Sequence, residues 1–111
     1  MVGLTIVAKN ALLDSLGITQ VSLHTADPGE TGANEVTGGT YAKKAITVAA
    51  AAAGSLSSSS TPTLDVPAGV TINHVGFWAG ATFKYSSTIT PETFGAAGTY
   101  TLNSASIDLN K

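Results

Sequence analysis

The chain of 111 residues contains neither cysteine nor arginine. Without a thiol there can be no disulfide framework, no thiolate zinc site and no cysteine nucleophile. Five lysines stand against seven carboxylates, for a formal charge of −2. With no guanidinium either, the footprint by which a protein binds nucleic acid or an anionic membrane is missing. Charged residues make up 11% of the chain, where about a quarter is usual, yet Pro and Gly are too few for disorder. The longest apolar run, Ile46 to Ala53, contains Thr47 and is far short of the roughly 20 residues a spanning helix needs. Residues Met1 to Leu16 lack a basic stretch followed by a small-residue cleavage site, and Asp14 interrupts their apolar face. No leader is therefore expected, and the chain should be made and kept in the cytoplasm or packaged there into a particle.

Small residues fill the gap. Ala 17, Thr 16, Gly 12 and Ser 11 account for half of the sequence. A chain of this length forms one domain, 1–111, and buries roughly 60–70% of the surface its unfolded form exposes. Small, Thr-rich and weakly charged sequences are common among assembled β proteins of extracellular or particle surfaces.

The hydrophobic pattern changes period once. From Leu4 to Leu16 the positions Leu4, Val7, Ala8, Ala11, Leu12 and Ser15 fall near a 3.6-residue repeat, with Lys9, Asn10 and Asp14 to one side. This predicts a helix over about 4–16, with Thr5 as N-cap, Gly17 as the left-handed residue that ends it, and Ile18 folding back on Leu13. An extended start over Val2 to Val7 is the alternative. Strands are expected from about 18 to 109. In Thr19 to Thr25, Val21 and Leu23 alternate with Gln20, Ser22 and His24, the pattern of a half-buried strand. Asp27-Pro28-Gly29 stops it, and a loop of about a dozen residues runs to Gly38-Gly39, long enough to suggest a contact or a function. Ala49 to Ala53 reads as a strand whose small side chains admit a close neighbour, with a short helix competing. Ser57 to Ser60 is a turn or polar edge. Thr63–Val66 and Val70–Ala79 are strands. In the latter Val70, Ile72, His74, Gly76 and Trp78 face one way, and Thr71, Asn73, Val75 and Phe77 the other. Phe83–Tyr85 is short, Ile89–Phe94 carries Pro91 and belongs on an edge, and Thr99–Leu102 and Ser106–Leu109 close the chain. Strands about ten residues apart with Pro/Gly punctuation predict a mainly β fold. The expected architecture is an antiparallel β-sandwich or barrel with one N-terminal α-helix. Phe77 and Trp78 are its expected core anchors.

Chemistry-bearing constellations are few. His24 and His74 could meet across a sheet and hold a metal, but no third ligand has useful spacing, so surface or hydrogen-bonded histidines are the default. Asp27, Glu30, Asn34 and Glu35 form the one acidic cluster. Calcium is conceivable there, but the alternate-position pattern of a calcium loop is absent. An exposed loop that contacts a neighbouring subunit is the preferred reading of these four residues, and a short Gly-Ser turn in its place should leave the fold standing. Serines abound without a G-x-S-x-G elbow, the carboxylates have no distinguishing arrangement, and no phosphate-cradling motif occurs. No enzyme, no catalytic residue, no metal and no cofactor is expected, although a small hydrolase stays open because absence of a motif is not proof. The tyrosines Tyr41, Tyr85 and Tyr100 could stack bases, but phosphates would have little to meet.

The string Leu23-His24-Thr25-Ala26-Asp27-Pro28-Gly29-Glu30-Thr31-Gly32-Ala33-Asn34-Glu35-Val36, followed by Gly39-Thr40-Tyr41-Ala42-Lys43-Lys44-Ala45-Ile46, is distinctive. With Asp65-Val66-Pro67-Ala68-Gly69, His74-Val75-Gly76-Phe77-Trp78 and Gly98-Thr99-Tyr100-Thr101-Leu102 it resembles a family of small tailed-bacteriophage virion proteins, commonly labelled tail-fibre or minor tail proteins. The resemblance spans Leu4 to Leu109. It implies a structural role on the tail, a virion location, other virion proteins as partners and a homo-oligomer, with no catalytic residues. A capsid decoration protein, contacting the major capsid protein, would have the same size and composition. A carbohydrate- or receptor-binding module, with Trp78 or the tyrosines as a sugar platform, is the reading from another class.

Overall fold

A computed structural model describes residues 4–103 and 106–108; Val2, in the extended alternative, and Leu109, the expected strand end, lie outside them. One helix, α1 (Ile6–Asp14), precedes eight strands: β1 (Gln20–His24), β2 (Lys44–Ala45), β3 (Ser55–Ser57), β4 (Thr63–Val66), β5 (Val70–Ala79), β6 (Thr82–Phe94), β7 (Gly98–Thr101) and β8 (Ser106–Asp108). The fold is mainly β and antiparallel. A four-stranded sheet runs β2-β1-β5-β6, and two two-stranded sheets pair β3 with β8 and β4 with β7. These sheets do not close into a barrel among the described residues. The molecule is elongated, 46 × 23 × 23 Å.

The helix starts where a hydroxyl can cap it. Thr5 is extended, and its Oγ1 accepts from the Ala8 amide at 3.1 Å. The helix ends at Asp14 with Ser15 as C-cap, short of the expected end at Leu16, and Gly17 (φ +66°) turns the chain two residues beyond the cap. Its orientation reverses the expectation. Leu13 is buried in the core with Ile18, but Leu4, Ile6, Val7 and Leu12 are exposed, Val7 by 80%. The polar side turns toward the alanine segment, whose amides need acceptors, although Asp14 itself stays exposed. Asp14 Oδ1 accepts from the Ala51 amide at 2.8 Å, and Asn10 Oδ1 from the Gly54 amide at 2.9 Å. Two backbone donors are thereby satisfied, and amphipathic periodicity alone does not register such a need.

Ala49 to Ala53 is neither the expected strand nor the competing helix: Ala52 makes an isolated bridge to Ser55, Ala53 opens a turn, and the nearest strand before it is β2 at Lys44–Ala45. Residues 47–59 fold back on themselves: the Ala49 amide donates to Ser57 O, the Ser59 amide to Thr47 O, and Val48 bridges Ser58. Ala52 and Ser55 exchange both backbone hydrogen bonds at 2.9 Å around Ala53 (φ +52°) and Gly54 (φ +77°). Two positive-φ residues in a two-residue loop mark a type I′ turn. The turn defeats the helix propensity of the alanines, because its partner strand supplies bonds that an under-two-turn helix cannot match.

β5 and β6 form the longest hairpin, joined at Gly80-Ala81. The two short strands expected at Phe83–Tyr85 and Ile89–Phe94 are one strand of 13 residues. β6 holds an edge position, as Pro91 requires. Its register against β5 shifts between Ile72/His74 and between Phe77/Trp78, the extra residues lying on β6. Strict alternation along β5 therefore fails: Ile72 joins Val75 and Phe77 in the main apolar cluster. Around them lie Leu13, Ile18, Val21, Leu23, Leu56, Leu64, Val66, Leu102 and Ile107.

Ala53 holds a left-handed backbone that a Cβ disfavours, and Asn is at home in that conformation at this turn position. Ala53→Asn should raise stability by about 0.5–1 kcal/mol. Urea melts read by far-UV circular dichroism check this; an unchanged or lower midpoint would contradict the turn assignment.

Candidate functional site

β1 is not half-buried. Val21 and Leu23 face the main core, but Ser22 and His24 are also fully buried, on the opposite face. β5 repeats the arrangement, with Phe77 in the main core and Trp78, 9% exposed, on the other side. The two aromatic residues singled out as anchors thus serve different layers. Phe77 packs with Tyr85, ring centroids 5.9 Å apart, whereas Trp78 meets Phe83 edge-on at 5.1 Å.

The second layer is polar at its centre, and its hydrogen bonds have one consistent direction. The Ala33 carbonyl only accepts, so His24 Nδ1, 2.8 Å away, carries a proton. The indole of Trp78 only donates, and its Nε1 lies 2.8 Å from Ser22 Oγ. Ser22 Oγ is 2.6 Å from His24 Nε2, which in the neutral ring is an acceptor. The chain therefore runs from the Trp78 N–H to Ser22 Oγ, from the Ser22 hydroxyl to His24 Nε2, and from His24 Nδ1–H to Ala33 O. Burial pushes the His24 pKa down, against the opposing pull of the Ala33 carbonyl and of Glu35. A serine–histidine pair inevitably raises the question of nucleophilic catalysis. Here both residues are 0% exposed, the serine oxygen is occupied by the indole, and a backbone carbonyl stands where a triad holds a carboxylate.

The lid over this layer is the long loop. Pro28 and Gly32 are buried, and Val36 at the loop's end is buried in the main apolar cluster. Val36 N donates to Leu23 O at 2.9 Å and Thr25 N to Asn34 O at 3.0 Å, so residues 34–36 extend the edge of β1. The loop is part of the fold, which corrects the expectation that a short turn could replace it. Asp27 Oδ1 accepts from Gly29 N at 2.9 Å, and the Asn34 side chain donates to Asp27 O at 3.0 Å with Asn34 at φ +62°. Both residues shape the loop. Glu35 is half-buried. It pairs with Lys43 at 3.1 Å and accepts from the Tyr41 hydroxyl at 2.8 Å, while the Leu23 amide donates to that same Tyr41 oxygen at 2.9 Å. Burial pushes the Tyr41 hydroxyl well above its ordinary pKa. Lys43 Nζ also lies 4.3 Å from the Trp78 ring centroid. Glu30 is exposed.

His24 and His74 are direct cross-strand partners, but both His24 nitrogens are engaged within the protein, and His74 Nδ1 lies 2.7 Å from Asn73 Oδ1. No group of three or more His, Cys, Asp or Glu is placed to hold a metal among the described residues. A sugar platform at Trp78 is ruled out by its burial. No helix among the described residues is long and apolar enough to cross a membrane.

Sequence reading missed this layer. The available signal was positional: Ser22/His24 and Gly76/Trp78 are i, i+2 pairs on adjacent strands, and Gly76 leaves the space between them. A Cβ on Gly76 would lie 2.7 Å from His24 Nε2, from Ser22 Oγ and from Phe83. One on Gly32 would lie 2.6 Å from the Trp78 ring. Gly76→Ala should therefore cost about 3 kcal/mol, the upper range for overpacking. It should also shift Trp78 emission to the red. Denaturant melts with tryptophan fluorescence check both, and a loss under about 1 kcal/mol would mean that the layer is loosely packed.

A family model described as "Podophage GP4 fiber I protein gp80" matches residues 6–110. No curated protein and no solved structure matches the chain. The expected kinship with small tailed-phage virion proteins holds, and it falls on the fibre side; the match lends no weight to capsid decoration. With nearly the whole sequence matched, from the first residue of α1 to beyond β8, the chain belongs to the podophage GP4 fiber I protein gp80 family.

Proposed function

We propose that this protein is a non-enzymatic structural component of a podophage virion, built into the tail fibre as a homo-oligomer in contact with other virion proteins, with neither nucleic acid nor membrane as partner. The observation that carries the reading is the family match over residues 6–110. Three features of the molecule support it. The sealed Ser22–His24 pair has no route to a substrate. The outward stripe of α1, with Ile6, Val7 and Leu12 exposed, and Leu4 just ahead of its cap carry no charge, as surface covered in an assembly does. The loop of Asp27, Glu30, Asn34 and Glu35 is held rigidly enough to present one shape to a neighbour. Within it Glu30, exposed at the tip, is the residue for an intersubunit contact, because Asp27, Asn34 and Glu35 also bond within the loop and its surroundings.

Quantitative mass spectrometry of purified particles tests the reading. A copy number of a small percentage of the major capsid protein is expected for a fibre component. A ratio near one would replace the fibre by shell decoration, and absence from particles would overturn the virion role. Glu30→Lys should leave the melting temperature of the isolated chain unchanged and reduce incorporation several-fold. Normal incorporation would remove the loop tip from the interface.

A further inference from the structure

The hydrogen-bond chain around His24 is complete only while the ring is neutral. A second proton on Nε2 would turn that atom from acceptor to donor. Ser22 Oγ would then face two donors, the indole N–H and the imidazolium, and its own hydrogen would lose the acceptor it has at 2.6 Å. A buried cation with an unsatisfied hydroxyl beside it calls for water.

The surroundings decide where water can enter. Across β5 stands His74, which opposes the charge, as does Lys43 ahead of β2; Glu35 in the loop and the Ala33 carbonyl favour it. β6 presents the Phe83 ring, with centroids 6.1 Å apart. The β1–β5 ladder pairs His24 with His74 and continues through Gln20, so opening there would dismantle the sheet. The remaining cover is the segment Asp27–Val36. It is tied by the Ala33, Val36 and Asn34 backbone contacts, by the Glu35–Lys43 ion pair and the Tyr41–Glu35 hydrogen bond, and at its end by Val36, which is buried in the main apolar cluster; lifting it breaks these contacts but no β1–β5 bond.

We infer that Asp27–Val36 is an acid-released latch: protonation of His24 lifts this segment off the sheet and uncovers Trp78, against whose ring Gly32 rests in the closed state. The sign follows from burial. An unfolded or uncovered His24 titrates near 6.5 and the covered one lower, so the closed form is complete above about pH 6.5 and is lost progressively below it. The inference does not depend on the fibre assignment, since it concerns the isolated chain.

The test follows the 111-residue chain from about pH 7.5 to about pH 5. NMR reads the His24 and His74 rings and the Trp78 indole, acrylamide quenching reads Trp78 access, and far-UV circular dichroism reads the sheet. Quenching should rise several-fold with the midpoint of the His24 ring, below 6.5, while the sheet signal persists; His24→Gln should abolish the change. If that variant does not fold, co-titration of Trp78 access with His24 rather than His74 in the native chain decides. The latch is overturned if His24 stays neutral down to about pH 5, if it titrates with Trp78 still shielded, if access follows His74, or if the sheet is lost at the same midpoint.

Discussion

The close approach of β1 and β5 at Gly76 is the constraint on which the rest of the structure depends. A missing side chain there lets Ser22, His24 and Phe83 converge within a space that a single methyl would fill. Because the strands meet so closely, polar side chains can be buried on the second face of the sheet and still be satisfied. A buried hydroxyl, imidazole and indole would each cost free energy if left alone. Arranged head to tail, each one's donor meets the next one's acceptor, and no buried side-chain nitrogen or oxygen among the described residues lacks a partner.

From that arrangement the loop follows. A polar layer with both histidine nitrogens in use needs an acceptor for Nδ1–H, and the Ala33 carbonyl supplies it. To bring that carbonyl over the sheet the chain must leave β1, reverse and return along its edge. Asp27 and Asn34 make the reversal, and Gly32 lets the backbone lie on the indole. What looked like a free surface excursion in the sequence is therefore the roof of a second small core.

How much of this was legible depended on whether a feature was local. Thr5 marked the helix start because caps are short-range, although the helix stops at Asp14, ahead of Gly17; Thr63–Val66 and Val70–Ala79 appeared at their true bounds because turn residues flank them. The helix face was misread for a non-local reason: Asn10 and Asp14 answer backbone donors some 40 residues away, in a segment without periodic pattern. The burial of Ser22 and His24 was invisible for the same reason, since alternation assigns one wet face to a strand and cannot know that a loop will dry it. The split of β6 fell at Ser86-Ser87-Thr88, a polar stretch with no apolar position to mark it as strand, whereas Pro91 was placed inside a strand and on an edge, where it is found. On an edge strand a proline needs no ladder bond, and the extra residues of the register shift accommodate it.

The scarcity of charge also acquires a structural meaning. Cross-strand contacts that ion pairs often supply are made here by hydroxyls: Thr63 with Thr101, Thr71 with Thr93 and Thr47 with Ser59, each at 2.9 Å. Hydroxyl pairs do not titrate and are little affected by salt, so the exposed sheets keep their pairing across conditions. The titratable contacts that matter gather instead around the loop, where Glu35, Lys43 and Tyr41 meet its return strand and His24 lies beneath it. The exposed cross-strand pairs thus carry no titrating group while the loop gathers several, and this division follows from which residues the chain leaves out as much as from those it contains.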